Sequence, residues 1–168
     1  MNYANLMRFL PLVLALLALD QATKVWAVHV LSQAPIVLIP NLLFLKLATN
    51  PGAAFSLFAR YPGALTVVAS AVAVAVFIWL WRTPHWDWPT AVALSLILGG
   101  AVGNLIDRFR VGEVIDFIEV HFAVIHWSWP TFNVADSAIC VGMGLLALSA
   151  FFPGKKRAQP AAPSPGAP

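Results

Sequence analysis

The sequence predicts an all-α integral membrane protein. It has four transmembrane helices, N and C termini on the cytoplasmic side, and β-prone or interfacial segments on the outer side. Three observations predict this. Of 168 residues, 60% are hydrophobic and only 10% are charged, and the mean hydropathy is +0.81; soluble domains carry charge at roughly 25% of positions. Several apolar runs approach or exceed the ~18–20 residues needed to span a bilayer. Basic residues cluster at the ends of those runs, as topology determinants do. The length allows one domain, read as residues 1–152, followed by a tail, 153–168.

The first span covers about residues 7–30. Arg8 followed by an apolar run could pass for a signal peptide. The run continues through Asp20 and Lys24, however, and no small-x-small site closes its apolar core, so it reads as a retained span. The second, third and fourth spans cover about 62–81, 89–108 and 133–152. With an even number of spans, Arg8, Arg82, Lys155, Lys156 and Arg157 fall on one side, which is the cytoplasmic side. Lys46, Arg60, Arg108 and Arg110 lie opposite, so the bias is modest. Trp79, Trp81, Trp86 and Trp88 bracket the cytoplasmic connection, and Trp127 and Trp129 lie near the start of the fourth span. Both groups suit interfacial aromatic belts.

The outer connections, about 31–61 and 109–131, hold "IVLIPNLLFLKLA" and "GEVIDFIEVHFAVIHW". These are β-prone or interfacial segments that should lie on the membrane or fold over the spans. The tail "GKKRAQPAAPSPGAP" is Pro/Ala-rich and is expected to be disordered.

Composition excludes several classes. The formal charge of +3 gathers into no basic face, so no nucleic-acid partner is expected. The single cysteine, Cys140, cannot form an intrachain disulfide or a CxxC pair. Lying inside the last apolar run, it is expected to be buried, inert packing. His29, His85, His121 and His126 are scattered and no HExxH is present, so no metal is expected. There is no GxSxG with a histidine partner and no glycine-rich phosphate loop.

Attention therefore falls on polar residues set in apolar sequence, which are costly in a membrane. In "DQATK", Asp20 and Lys24 share a helix face at i, i+4, acid first. They either neutralise one another with Lys24 reaching to water, or form a polar face turned into the bundle. In "TNPGAAFS", Asn50-Pro51-Gly52 is turn chemistry, and Asn50 carries both donors and an acceptor. In "GGAVGNLIDRFRVGEVIDFI", Gly99, Gly100 and Gly103 let helices approach closely. Asn104 and Arg108 share one helical face with Asp107 beside them; an Asp–Arg surface pair is the competing reading. Asp116, inside "VIDFI", is either buried with partners or desolvated for chemistry. In "FNVADSAI", Asn133 as N-cap and Asp136 at N3 resemble a capping box. Asp116 and Asp136 lie near the same interface and could meet.

If they meet, the chemistry is constrained. Two adjacent carboxylates share one proton and titrate as a unit. The ionised partner takes a proton from water, and the protonated partner hydrogen-bonds to a scissile carbonyl, as in aspartic proteases.

These five stretches, in this order on a four-span layout, resemble the lipoprotein signal peptidase (signal peptidase II) family of bacterial membranes. The resemblance extends to about residue 152. It implies a four-helix intramembrane aspartic protease with a small β-like cradle and an interfacial segment on the outer side, and Asp116 and Asp136 as catalytic dyad. It places Asp20, Lys24, Asn50, Gly52, Asn104, Arg108, Asn133 and Ala135 around the active site, as substrate-binding or dyad-supporting residues. It implies a diacylglyceryl-modified prolipoprotein substrate, cleaved just before the lipidated cysteine. It also implies no metal or cofactor, inhibition by globomycin-type peptides, and a bacterial cytoplasmic (inner) membrane location with the active site near the periplasmic face. A monomer among membrane lipids is expected.

A small transporter or proton conduit is the alternative function, since intramembrane acids also build relays. It would spread acids through the bilayer depth, whereas Asp20, Asp107, Asp116 and Asp136 all map to one side. A purely structural assembly factor would leave two desolvated acids unexplained.

Overall fold

Among the described residues, two strands follow α1 and two precede α4, with α2 and α3 between the pairs, and all four strands join in one small sheet. The computed structural model describes residues 3–52, 62–82 and 88–151. Helix α1 (Tyr3–Leu31) is followed by β1 (Ile36–Ile39) and β2 (Leu43–Asn50). Then come α2 (Pro62–Arg82), α3 (Trp88–Val111), β3 (Val114–Phe122), a single 3-10 turn at Ala123–Ile125, β4 (Trp127–Phe132) and α4 (Val134–Phe151). Ala53 to Ser56 of the "TNPGAAFS" stretch, Arg60, His85, Trp86 and the tail with Lys155, Lys156 and Arg157 lie outside the described residues.

Among the described residues, α1, α2 and α3 are long and apolar enough to cross a membrane; α4 is a shorter apolar helix. The four expected spans thus coincide with four helices, within a few residues at each end. Of the three long helices, α2 is the most apolar, with mean hydropathy 2.3, and the least buried. Its Val67, Val68 and Val74 face outward, as lipid-facing residues do. Helix α3 packs against the other three. In lipid there is no hydrophobic force to draw helices together, so close approach of small residues matters more. A Cβ on Gly99 would meet Leu16 of α1, and one on Gly100 would meet the Ala135 carbonyl of α4. One on Gly142 would meet the Ala93 carbonyl of α3. Phe9, Val13, Ala73, Leu80, Leu94, Leu98 and Leu105 form the core between α1, α2 and α3.

The β-prone outer connections form one antiparallel sheet in the order β1-β2-β3-β4. Its inner side rests on the end of α1, where Phe117 packs on Ala27 and Leu31. Trp127 and Trp129 on β4 are exposed and meet edge to face at 5.6 Å, and Trp79, Trp81 and Trp88 are exposed at the opposite helix ends. The two described groups of tryptophans thus lie at opposite ends of the helices.

Candidate active site

Helix α4 begins with a complete capping box. Asn133 Oδ1 accepts the Asp136 backbone N–H at 2.9 Å, and Asp136 Oδ2 accepts the Asn133 backbone N–H at 3.2 Å. Two otherwise orphan donors are satisfied reciprocally. The capping role leaves the other oxygen of Asp136 free to do more: Oδ1 accepts from Asn104 Nδ2 at 2.7 Å.

Strand β3 supplies Asp116. Val114 and Asp116 are both buried, two residues apart on one face of the strand. Val114 pairs with Asn50 across to β2, so Asn50 and Asp116 are diagonal neighbours. Asn50 Nδ2 donates to Asp116 Oδ2 at 3.1 Å. Asn133 Nδ2 donates to Asp116 Oδ1 at 2.7 Å. Both amides are oriented by backbone donors, since Asn50 Oδ1 accepts the Gly52 N–H and Asn133 Oδ1 accepts that of Asp136. Asn133 therefore joins the two acids: one end of its amide holds Asp116, the other the peptide of Asp136. Burial pushes the Asp116 carboxyl up to about 7, and the nearby charge of Asp136 adds to the rise. The Asn50 and Asn133 amides and the Lys24 ammonium oppose it.

The supporting residues form one connected network. Lys24 is 1% exposed; its ammonium lies 2.9 Å from Asp20 Oδ2 and 2.7 Å from Asp107 Oδ2, and donates to Asn104 Oδ1 at 2.9 Å. Snorkelling to water is thereby excluded, and the polar face of α1 is turned inward. Asp20 Oδ1 accepts the Ala135 N–H at 3.0 Å. Only a glycine at 103 admits this carboxylate, since a Cβ there would lie 2.6 Å from Asp20 Oδ2. Arg108 donates to the Gly52 carbonyl at 2.9 Å and so ties α3 to the turn after β2. The ten residues that the resemblance placed at or around the dyad all lie in this network. The competing Asp–Arg surface pair fails: Asp107 is 2% exposed and bonds to Lys24, to Gln21 and to the Ile115 N–H.

A cavity of about 510 Å³ opens beside the acids. Asn50, Asn104, Arg108 and Asp136 form its polar end, and Val114, Trp129, Phe132 and Ile139 are among its apolar lining. Asp136 is on the wall; Asp116 is not among the lining residues and sits behind it, 1% exposed. Cys140 corrects an expectation. It is exposed and lines this cavity, because position i+4 from Asp136 lies on the same face of α4. The sequence reading missed the structural part of Gln21 and Asp107, although both stand within or beside its motifs. The apolar wall had no signal beyond general hydrophobicity.

Fold and site together define a helical membrane protein with a small antiparallel sheet and two linked carboxylates beside a largely apolar cavity. Residues 12–152 match the model of the family described as Signal peptidase (SPase) II. The chain belongs to this family and is a peptidase. It is 45% identical over 151 residues to the lipoprotein signal peptidase of Pseudomonas putida strain KT2440, covering 85% of this chain and 86% of that protein. It is 41% identical over 153 residues to the lipoprotein signal peptidase of Syntrophotalea carbinolica, 89% of this chain and 94% of that one. A bacterial membrane enzyme solved by the in meso method at 2.3 Å shares the fold, with TM-score 0.76 and 24% identity over 92% of this chain and 94% of that chain.

Proposed function

We propose that this chain is a membrane aspartic endopeptidase that removes the signal peptide from diacylglyceryl-modified prolipoproteins, cutting just before the lipidated cysteine. The observation that carries the reading is Asn133, which links Asp116 and Asp136 at the polar end of a cavity whose walls are mostly apolar. Carboxylates for peptide hydrolysis and apolar surface for lipid chains are what such a substrate needs side by side. Relatives named lipoprotein signal peptidase support the same substrate class.

In this mechanism the dyad holds one proton. We place that proton on Asp116, which is 1% exposed behind the cavity wall and whose carboxyl burial pushes up to about 7. Asp136, on the cavity wall, is the ionised base. As water attacks the scissile carbonyl carbon, its proton passes to Asp136, and the Asp116 proton passes to the carbonyl oxygen. The resulting gem-diol collapses: Asp136 returns its proton to the leaving nitrogen, the C–N bond breaks, and Asp116 recovers a proton as the carbonyl reforms. The products are a carboxyl-ended signal peptide and a free cysteine amine. No cofactor takes part. Asn133, Asn50 and Asn104 orient the dyad, Ala135 and Asp20 fix its backbone, and Arg108 with Gly52 shapes the substrate side.

Residues 1–152 form the peptidase domain in this reading, and α4 is the fourth span. At 18 residues α4 is about 27 Å long, a little under the ~30 Å hydrocarbon core; its first turn therefore sits at an interface with the dyad. The termini are cytoplasmic, the site lies near the periplasmic face of the bacterial inner membrane, and the monomer is inhibited by globomycin-type peptides. Asp20, Asp107, Asp116 and Asp136 meet in one cluster, which favours a site over a conduction path.

A gel-shift assay with a lipidated precursor tests the proposal. Asp116→Asn and Asp136→Asn should each insert normally and lose about 10²–10⁴-fold in turnover. Near-normal turnover in either variant ends the dyad assignment. Ion flux through reconstituted wild type, without cleavage, would restore the conduit.

A further inference from the structure

Asp20 and Asp107 make the same kind of contact. Asp20 Oδ1 accepts the backbone N–H of Ala135 at 3.0 Å, and Asp107 Oδ2 accepts that of Ile115 at 3.2 Å. Ala135 and Ile115 each stand immediately before a dyad acid, Asp136 and Asp116. The two clamping acids come from different helices, α1 and α3, and one cation, Lys24, joins them at 2.9 and 2.7 Å. Gln21 Nε2 bridges the same two carboxylates at 3.1 Å each. All three charged residues are at most 2% exposed, and none lines the cavity. The arrangement is more specific than filling a core requires, since each carboxylate uses a separate oxygen or lone pair for cation and peptide.

We propose that Asp20, Lys24 and Asp107 act as one clamp that sets the spacing of the two peptide segments carrying the dyad. They are positioning residues: they touch no substrate and act through the backbone N–H groups of Ala135 and Ile115. The inference rests on the dyad reading. A buried ion triad suits the task because its members cannot relax into water, and because small misplacements of reacting groups cost about 10²-fold in rate. It also accounts for Gly103, where any side chain would push Asp20 from its place.

The test compares kcat and KM for a lipidated precursor in wild type, Asp107→Asn, Asp107→Ala and Gly103→Ala, each alongside thermal unfolding in detergent. The clamp predicts a fall in kcat of about 10–100-fold with KM within about threefold of wild type. Asp107→Asn, which keeps an acceptor for the Ile115 N–H, should retain more kcat than Asp107→Ala. Gly103→Ala removes no charge and presses chiefly on Asp20, with the Ala135 Cβ at 3.4 Å, so it decides the matter should the Asp107 variants fail to fold. Wild-type kcat in folded Gly103→Ala, equal kcat in the two Asp107 variants, or a loss confined to KM would each overturn the clamp. Asp116→Asn and Asp136→Asn run in parallel: if they are inactive while the clamp variants turn over normally, the clamp alone is wrong; if either is active, the dyad is.

Discussion

Asn133 Nδ2 donates to Asp116 Oδ1 at 2.7 Å and to the Ile115 carbonyl at 3.3 Å, so one amide ties the start of α4 to β3. Asn133 is fully buried, and its other amide atom caps α4 through the Asp136 N–H. The two functions can be separated by substitution. Ser keeps an N-cap acceptor but has no amide to offer Asp116; Ala has neither. Asn133→Ser and Asn133→Ala should therefore lose turnover alike, about 10²-fold, while Ala is less stable than Ser by about 1 kcal/mol. Turnover and unfolding of the purified pair check this, and a fully active Ser variant would remove Asn133 from dyad orientation.

If Asp116 carries the dyad proton, as proposed, both activity and stability should depend on pH. Burial pushes its carboxyl up to about 7 in the folded chain, against an ordinary 3.8. A one-proton dyad loses its proton as pH rises through that value, so kcat should fall on the alkaline side of about 7. For stability the sign is the same. Between 3.8 and 7 the folded state holds a proton that the unfolded chain has released, so stability falls as pH rises across this window. Above it the cost is constant. The slope from this group is at most about 1.4 kcal/mol per pH unit. Melting temperatures of wild type and Asp116→Asn between pH 5 and 8 measure it: the variant should be flatter with pH, and relatively more stable at pH 8. Parallel curves would show that Asp116 is not the titrating group.

Removing Lys24 strands two carboxylates. Lys24→Met leaves Asp20 and Asp107 buried without a cation, which costs about 3–5 kcal/mol. Neutralising all three, as Asp20→Asn/Lys24→Met/Asp107→Asn, should restore much of that stability, since a buried ion cluster adds little over a neutral core of similar volume. Unfolding in detergent ranks the variants; a triple variant no better than the single one would mean that the cluster's hydrogen bonds, rather than its charge balance, hold the fold.

Two glycines of similar setting in sequence should respond oppositely. A Cβ on Gly100 overlaps the Ala135 carbonyl, which is backbone and cannot swing aside, whereas one on Gly144 meets nothing within 4 Å. Gly100→Ala should destabilise by about 1–3 kcal/mol, and Gly144→Ala should stabilise by about 0.5–1 kcal/mol through helix propensity. Thermal unfolding of the two variants decides between this and a generic glycine effect, which would give both the same sign.

The helices and the β-prone outer segments were legible in the sequence, because length, period and composition act locally, and the order of the five motifs marked the polar residues that the fold brings together. An apolar run of about 20 residues becomes a helix in lipid wherever its neighbours lie. The Asn133–Asp136 capping box is likewise local, with both partners inside one turn. Asp107 shows where this stops. Its helical position tells which face it occupies, but the partner on that face, Lys24, is 83 positions away and is set by how α1 packs on α3. The same holds for Cys140, which the apolar run suggested was buried and which the packing left open to the cavity. The sequence by itself determined which elements form and which side chains are too costly to be idle. Only the tertiary structure decided that Asp116 lies behind the wall and Asp136 on it. That placement depends on how α1, α3 and the sheet pack around the start of α4, which no local stretch of sequence encodes.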